Sequence, residues 1–213
     1  MSKHYNNKKS SSGWWITGGV IIVIIVLFVI ANQNAAQSVK TISDPSALPG
    51  IQTGNAPWPA ELDHLRERLV AIGLQPLAAE GTALHIHQHL DIFIDGNETS
   101  IPAGAGIDEA SGFISTIHVH DNTGIIHVES PTMQTFTLGQ FFDIWGVRLT
   151  SQCIGGYCTQ GNKNLKVFVN GTLYSGDPRQ LALASHQEIV IAYGTDQELP
   201  NPIPSTYNFP AGY

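Results

Sequence analysis

The sequence predicts an α+β fold: an N-terminal transmembrane helix, then one small β-grasp-like domain with a mixed sheet, hairpins and one or two helices. Three observations point there. Residues 14–31 form an uncharged apolar run. From Leu84 onward apolar residues recur at every second position in short runs divided by turn residues, the period of half-buried strands. Two segments, 60–72 and 137–146, instead carry apolar residues at helical spacing.

The first element is Trp14 to Ala31. Eighteen residues rising 1.5 Å each reach about 27 Å, close to a hydrocarbon core of ~30 Å. Trp14 and Trp15 stand where amphipathic rings favour the headgroup level. Lys3, Lys8 and Lys9 precede the run, which puts residues 1–13 in the cytoplasm and the rest outside. A cleaved signal peptide is the alternative, because small residues follow at Ala31, Ala35 and Ala36. Residues 32–59 hold Asn, Gln, Ser, Thr and four prolines with no apolar period, the composition of an extracytoplasmic linker.

The domain proper spans 60–195. Leu62, Leu65, Leu69 and Ile72 predict a helix over 60–72, entered after Pro59 and stopped at Gly73. Leu84 to Asp95 reads as a strand, Asp95-Gly96 as a tight turn and Thr99 to Pro102 as a short return strand. Ile114 to His120 and Ile125 to Glu129 read as a second hairpin around Asp121-Asn122-Thr123-Gly124. Thr137 opens a helix with Leu138, Phe141, Phe142 and Trp145 as its apolar stripe, ended by Gly146. Leu165 to Asn170 and Glu188 to Tyr193 are the closing strands, and LKVFVNG…LASHQEIVIAYG looks like the end of a β-grasp. A strand hairpin, a helix and two more strands are the order of one helix crossing one mixed sheet. The tail, 196–213, holds four prolines and is expected to be extended.

Charge narrows the function classes. The chain carries ten basic and 17 acidic side chains, a net charge of −7. The three lysines are the only charges in residues 1–31, so residues 32–213 carry −10. Four arginines and six lysines build no basic face for nucleic acid. An acidic domain attracts cations rather than phosphates. No P-loop, dinucleotide fingerprint, G-x-S-x-G or H-E-x-x-H motif occurs.

What stands out is histidine. Nine occur, six of them between positions 85 and 127. On a strand, His85, His87, His89 and Asp91 share one face while Ile86, Leu90, Ile92 and Ile94 take the other. Same-face neighbours lie ~6.5–7 Å apart, so adjacent imidazoles can converge on one cation. His118 and His120 repeat the pattern. Where His127 points depends on the hairpin. A four-residue loop sets it opposite His118 on the histidine face, and a three-residue loop turns it away. The expected metal site therefore joins His85 and His87, with His89 as a further member, to His118 and His120. Asp121, His127 and Glu129 are additional or supporting ligands. Imidazole-rich sites suit zinc, copper, nickel or iron rather than calcium or magnesium, and copper or zinc is the expected ion. Neutral imidazole is the ligand form, so protons compete near an ordinary pKa of ~6.5. The bland alternatives are hydrogen-bonded strand histidines or a pH-responsive patch.

Cys153 and Cys158 flank Ile154-Gly155-Gly156-Tyr157. An extracytoplasmic location favours a disulfide between them, with a copper-binding thiol pair as the alternative. Asn97 and Asn170 begin glycosylation sequons at turns, where such residues are ordinary.

The blocks HIHQHLDIFIDG, IHVHDNTGIIHVESP, FTLGQFFDIWGVRL and VFVNG…HQEIVIAYG together resemble a group of uncharacterised bacterial membrane-anchored proteins, over residues 60–195. That resemblance implies a bacterial source, in which the sequons carry no sugar, and an extracytoplasmic domain on a single-pass anchor. It brings no chemistry with it. The functional expectation is thus a domain that captures, senses or hands over a transition metal. A metalloenzyme using Glu129 beside an open coordination position and a non-metal interaction module are the other classes, and the sequence names no protein partner. The topology has its own test: a reporter fused after residue 40 is expected to be active only outside the cytoplasm, and activity only inside refutes it.

Overall fold

The computed structural model describes Met1, Ile42 and residues 44–213; the apolar run 14–31 lies outside them. Among the described residues no helix is long and apolar enough to cross a membrane.

The architecture is α+β. Strands β1 (Leu84–Ile94), β2 (Asn97–Glu98), β5 (Ile117–His118), β6 (Ile125–Ser130), β9 (Asn164–Val169), β10 (Thr172–Tyr174) and β11 (Glu188–Gly194) form one mixed sheet. Its order is β10-β9-β11-β1-β6-β5, with β2 added to β1. β1 and β11 run parallel, and the other pairs are antiparallel. Two small hairpins, β3 (Ile107–Asp108) with β4 (Phe113–Ile114) and β7 (Cys153–Ile154) with β8 (Tyr157–Cys158), stand apart. Cys153 and Cys158 face each other across the second and are joined by a disulfide.

The strands alternate as the two-residue period requires. Leu90, Ile92 and Ile94 of β1, Ile126 and Val128 of β6, and Ile189 and Ile191 of β11 enter the main core. Against that face pack helices α1 (Leu65–Ile72) and α2 (Leu138–Trp145), the latter buried along its whole length. Positive φ at Asp95 and Gly96, and at Asn170 and Gly171, makes both two-residue turns, the backbone that matches strand twist and that a following glycine accepts without strain.

Helix α2 is written locally. The Thr137 side chain accepts from the Gln140 N–H, and the Gln140 side chain accepts in return from the Thr137 N–H, a reciprocal cap for two orphan donors. Its C-terminal carbonyls are satisfied from far away. The buried Arg68 guanidinium of α1 donates to the carbonyls of Asp143 (2.7 Å) and Ile144 (3.0 Å) and binds the Glu61 carboxylate. Asp143 itself grips Arg179 through two parallel bonds of 3.0 and 2.8 Å.

This arrangement explains where the sequence expectation for α1 fails. The helix begins at Leu65, not 60. The Glu61 N–H donates to the Trp145 carbonyl, and its carboxylate holds Arg68 and His64, so Glu61 caps α2 and residues 62–64 make only a single turn before α1. The bond to Glu61 raises the pKa of His64. The return strand is also shorter and earlier than expected. β2 ends at Glu98, and the chain leaves the sheet after the Thr99 N–H bonds the Ile92 carbonyl.

Arg68→Met removes the donor from two helix-terminal carbonyls and the partner of Glu61. A loss of about 3 kcal/mol is expected in denaturant unfolding, since each buried unpaired acceptor costs ~1–3 kcal/mol. A loss under about 1 kcal/mol contradicts this reading of α2's end.

Candidate metal centre

The outer face of the sheet carries the histidines. β6 lies between β1 and β5, which therefore do not touch as a pair. His127 stands opposite His87 on one side and His118 on the other, and Glu129 opposite His85. The His118–His127 pairing is that of the four-residue loop, with Gly124 at φ +86°. His127 and Glu129 thus occupy the middle of the cluster, not its margin as expected.

Ligand atoms gather tightly. His85 Nε2 is 3.1 Å from His87 Nε2, and His118 Nε2 is 3.2 Å from His120 Nε2. Glu129 Oε1 is 3.2 Å from His85 Nε2 and from His127 Nδ1. Two ligands ~2.0–2.1 Å from a tetrahedral ion sit about 3.3 Å apart, so these separations already match a coordination edge. The ligand atoms of His85, His87, His127 and Glu129 all lie within 4.8 Å of one another, as do those of His118, His120, His127 and Glu129. Nδ1 of His118 donates to the Ser115 carbonyl at 2.9 Å. That bond fixes the tautomer and leaves the Nε2 lone pair facing the cluster.

Two expected ligands do not join. Asp121 turns back to accept from the Thr123 N–H and hydroxyl, and it shapes the loop instead. His89 bonds Glu188 through Nδ1 at 3.0 Å and the Thr123 carbonyl through Nε2 at 2.9 Å. A carboxylate and a carbonyl only accept, so both ring nitrogens carry hydrogen and the ring is an imidazolium. It clips the 121–124 loop to β11. Burial opposes that charge, yet the Glu188 bond and the nearby carboxylates raise the His89 pKa. Burial pushes Asp91 up to about 6 against the pull of His89, and Glu188 adds to the rise.

Glu80 was not foreseen. Its carboxylate is 3.7 Å from His120 Nε2. A Cβ at Gly81 would lie 2.2 Å from the Ser130 backbone, so only glycine lets this loop press on β6 and bring Glu80 to the cluster. No spacing in the sequence signals that contact.

The tail adds a cover. Leu199 and Ile203 pack on Phe168, Val190 and Ala192 of the outer face. Farther on, the Tyr207 ring stacks on His89 at 3.7 Å, and Tyr213 lies 4.6 Å from His87. Apart from a 3-10 turn at Asp196–Glu198, the tail is extended as expected, but it is laid along the sheet.

Electrostatics follow burial. Burial, with the neighbouring histidines, lowers His87 to about 4 and His127 to about 3. Burial lowers His118 to about 4 against the Ser115 bond. Burial and Glu80 raise Glu129 to about 7. Proton competition near 6.5 therefore does not apply to the three buried rings, which hold the neutral ligand form at much lower pH. The site offers several neutral nitrogens around one buried carboxylate, a donor set for a borderline transition-metal dication. No protein-family model, curated protein or solved structure matches the chain.

The same shifts give stability a pH dependence. On unfolding, His87, His118 and His127 regain ordinary values and take up protons below pH 6.5, so each favours the folded state more as pH rises from about 4. Glu129 and Asp91, raised in the fold, release protons on unfolding and oppose this between pH 4.5 and 7. Asp143, raised by burial, opposes it too, and His64 and His89, also raised in the fold, do so near pH 6.5. The three large histidine shifts outweigh these below that, so metal-free stability is expected to rise from pH 4.5 to 6, by up to about 1 kcal/mol per unit. Glu129→Gln removes one opposing group and steepens the rise. Denaturant midpoints that fall over this interval contradict the assignment.

Proposed function

We propose that this chain is a membrane-anchored extracytoplasmic protein whose domain binds a transition metal, copper or zinc, for capture, sensing or hand-over. One observation carries the reading: two H-x-H pairs from separate strands converge on His127 and Glu129 at coordination-edge distances. The ligands are His85, His87, His118, His120, His127 and Glu129. Histidines that point together, with His87, His118 and His127 held neutral by burial, fit this better than an interaction module.

The anchor reading rests on residues 14–31 and the lysines before them. The Cys153–Cys158 bond supports it, since disulfides persist in oxidising compartments. The β-grasp-like reading is supported by the parallel central strands β1 and β11, each with an antiparallel partner outward, around α2. Likeness to the bacterial membrane-anchored group belongs to the same proposal.

A metalloenzyme is the second reading. The side chains of His85 and His120 are 53% and 41% exposed, so the edge of the site opens to solvent, as a catalytic metal requires.

Competition titration of the purified full-length chain with zinc and copper(II) tests the binding. His127→Ala, which removes a residue common to both sets, is expected to weaken binding by about 100-fold or more. Replacing His85, His87, His118 and His120 together by alanine abolishes it, and His64→Ala changes nothing. A fourfold variant that binds as the wild type does overturns the proposal.

A further inference from the structure

We infer that the cluster holds two metal ions side by side, one on His85 and His87 and the other on His118 and His120, with the Glu129 carboxylate bridging them. The inference rests on the metal-binding reading and adds its stoichiometry and the role of Glu129.

The sheet order is the first argument. Neighbouring strands lie ~4.8 Å apart, so β1 and β5, with β6 between them, stand about 10 Å apart at the backbone. Two ligands of one ion span at most about 4.2 Å, twice a metal–nitrogen bond. The six ligand atoms do not gather as one group even within 4.8 Å; they fall into two sets of four, each with one H-x-H pair. Each pair is spaced for an ion of its own, at 3.1 and 3.2 Å.

The second argument is the shared middle. His127 and Glu129 belong to both sets. Glu129 turns Oε1 toward His85 and His127, while Oε2 is buried with no hydrogen-bond partner and the side chain is 4% exposed. A buried oxygen without a donor is costly; the neighbouring Glu80 carboxylate is a second acceptor that crowds Glu129, and a cation held by both is the partner that this position offers. A carboxylate spanning two ions suits a separation of ~3.5–4 Å. Glu80, 3.7 Å from His120 Nε2, adds negative charge beside the second ion.

Native mass spectrometry and titration of the full-length chain with zinc count the ions, and electron paramagnetic resonance of the copper(II)-loaded chain reads their distance. Two ions per chain are expected, falling to one in His85→Ala/His87→Ala and to one in His118→Ala/His120→Ala. The wild-type copper spectrum is expected to lose the signal of isolated ions through coupling, and Glu129→Gln to restore it. One ion in the wild type overturns the two-ion inference and leaves the binding reading standing. No ion overturns both. Two ions with an isolated-ion spectrum overturn the bridge. These wild-type outcomes decide the matter even if a paired variant fails to fold.

Discussion

The two-residue period of β1 over a one-sided core governs the rest of the molecule. Leu90, Ile92 and Ile94 must face α1 and α2, which forces His85, His87, His89 and Asp91 to the opposite side. A slip of one residue would exchange the faces and put imidazoles into the core. β1 pairs with β6 along its first half and with β11 along its second. One strand therefore sets the register of both neighbours and hence the partners of every histidine it carries.

That division gives identical residues different fates. His87 meets His127 of β6 and stays neutral, hemmed in by other rings. Two positions along, His89 meets Glu188 of β11 and becomes a buried cation. Burial penalises the charged form in both cases. The difference is whether a carboxylate stands within reach to offset it. His87, which lacks such a partner, keeps its lone pair for a metal, and His89, gripped by Glu188, becomes a structural clip.

The helices brace the sheet from the other side. The carbonyls of Asp143 and Ile144 at the end of α2 are met by Arg68, and that of Trp145 by the Glu61 N–H. The end of a buried helix is thereby satisfied by a segment some eighty residues earlier in the chain. α2 in turn packs on β5, the strand that carries His118, so the position of one H-x-H pair depends on this capping.

Sequence alone determined whatever is encoded within a few residues. The caps of α2, the turns at Asp95-Gly96 and Asn170-Gly171, the faces of β1 and the two H-x-H pairs follow from local periods and glycine positions. Tertiary structure decided what depends on distant partners. Insertion of β6 between β1 and β5 moved His127 and Glu129 to the centre of the site. Glu188, a hundred residues away, took His89 out of it, and Thr123 took Asp121. Gly81 brought in Glu80, and the outer sheet face ordered the tail. Local period states which face a side chain takes. Only strand order and long-range packing state what waits on that face, and for an imidazole that neighbour determines whether it is a ligand or a cation.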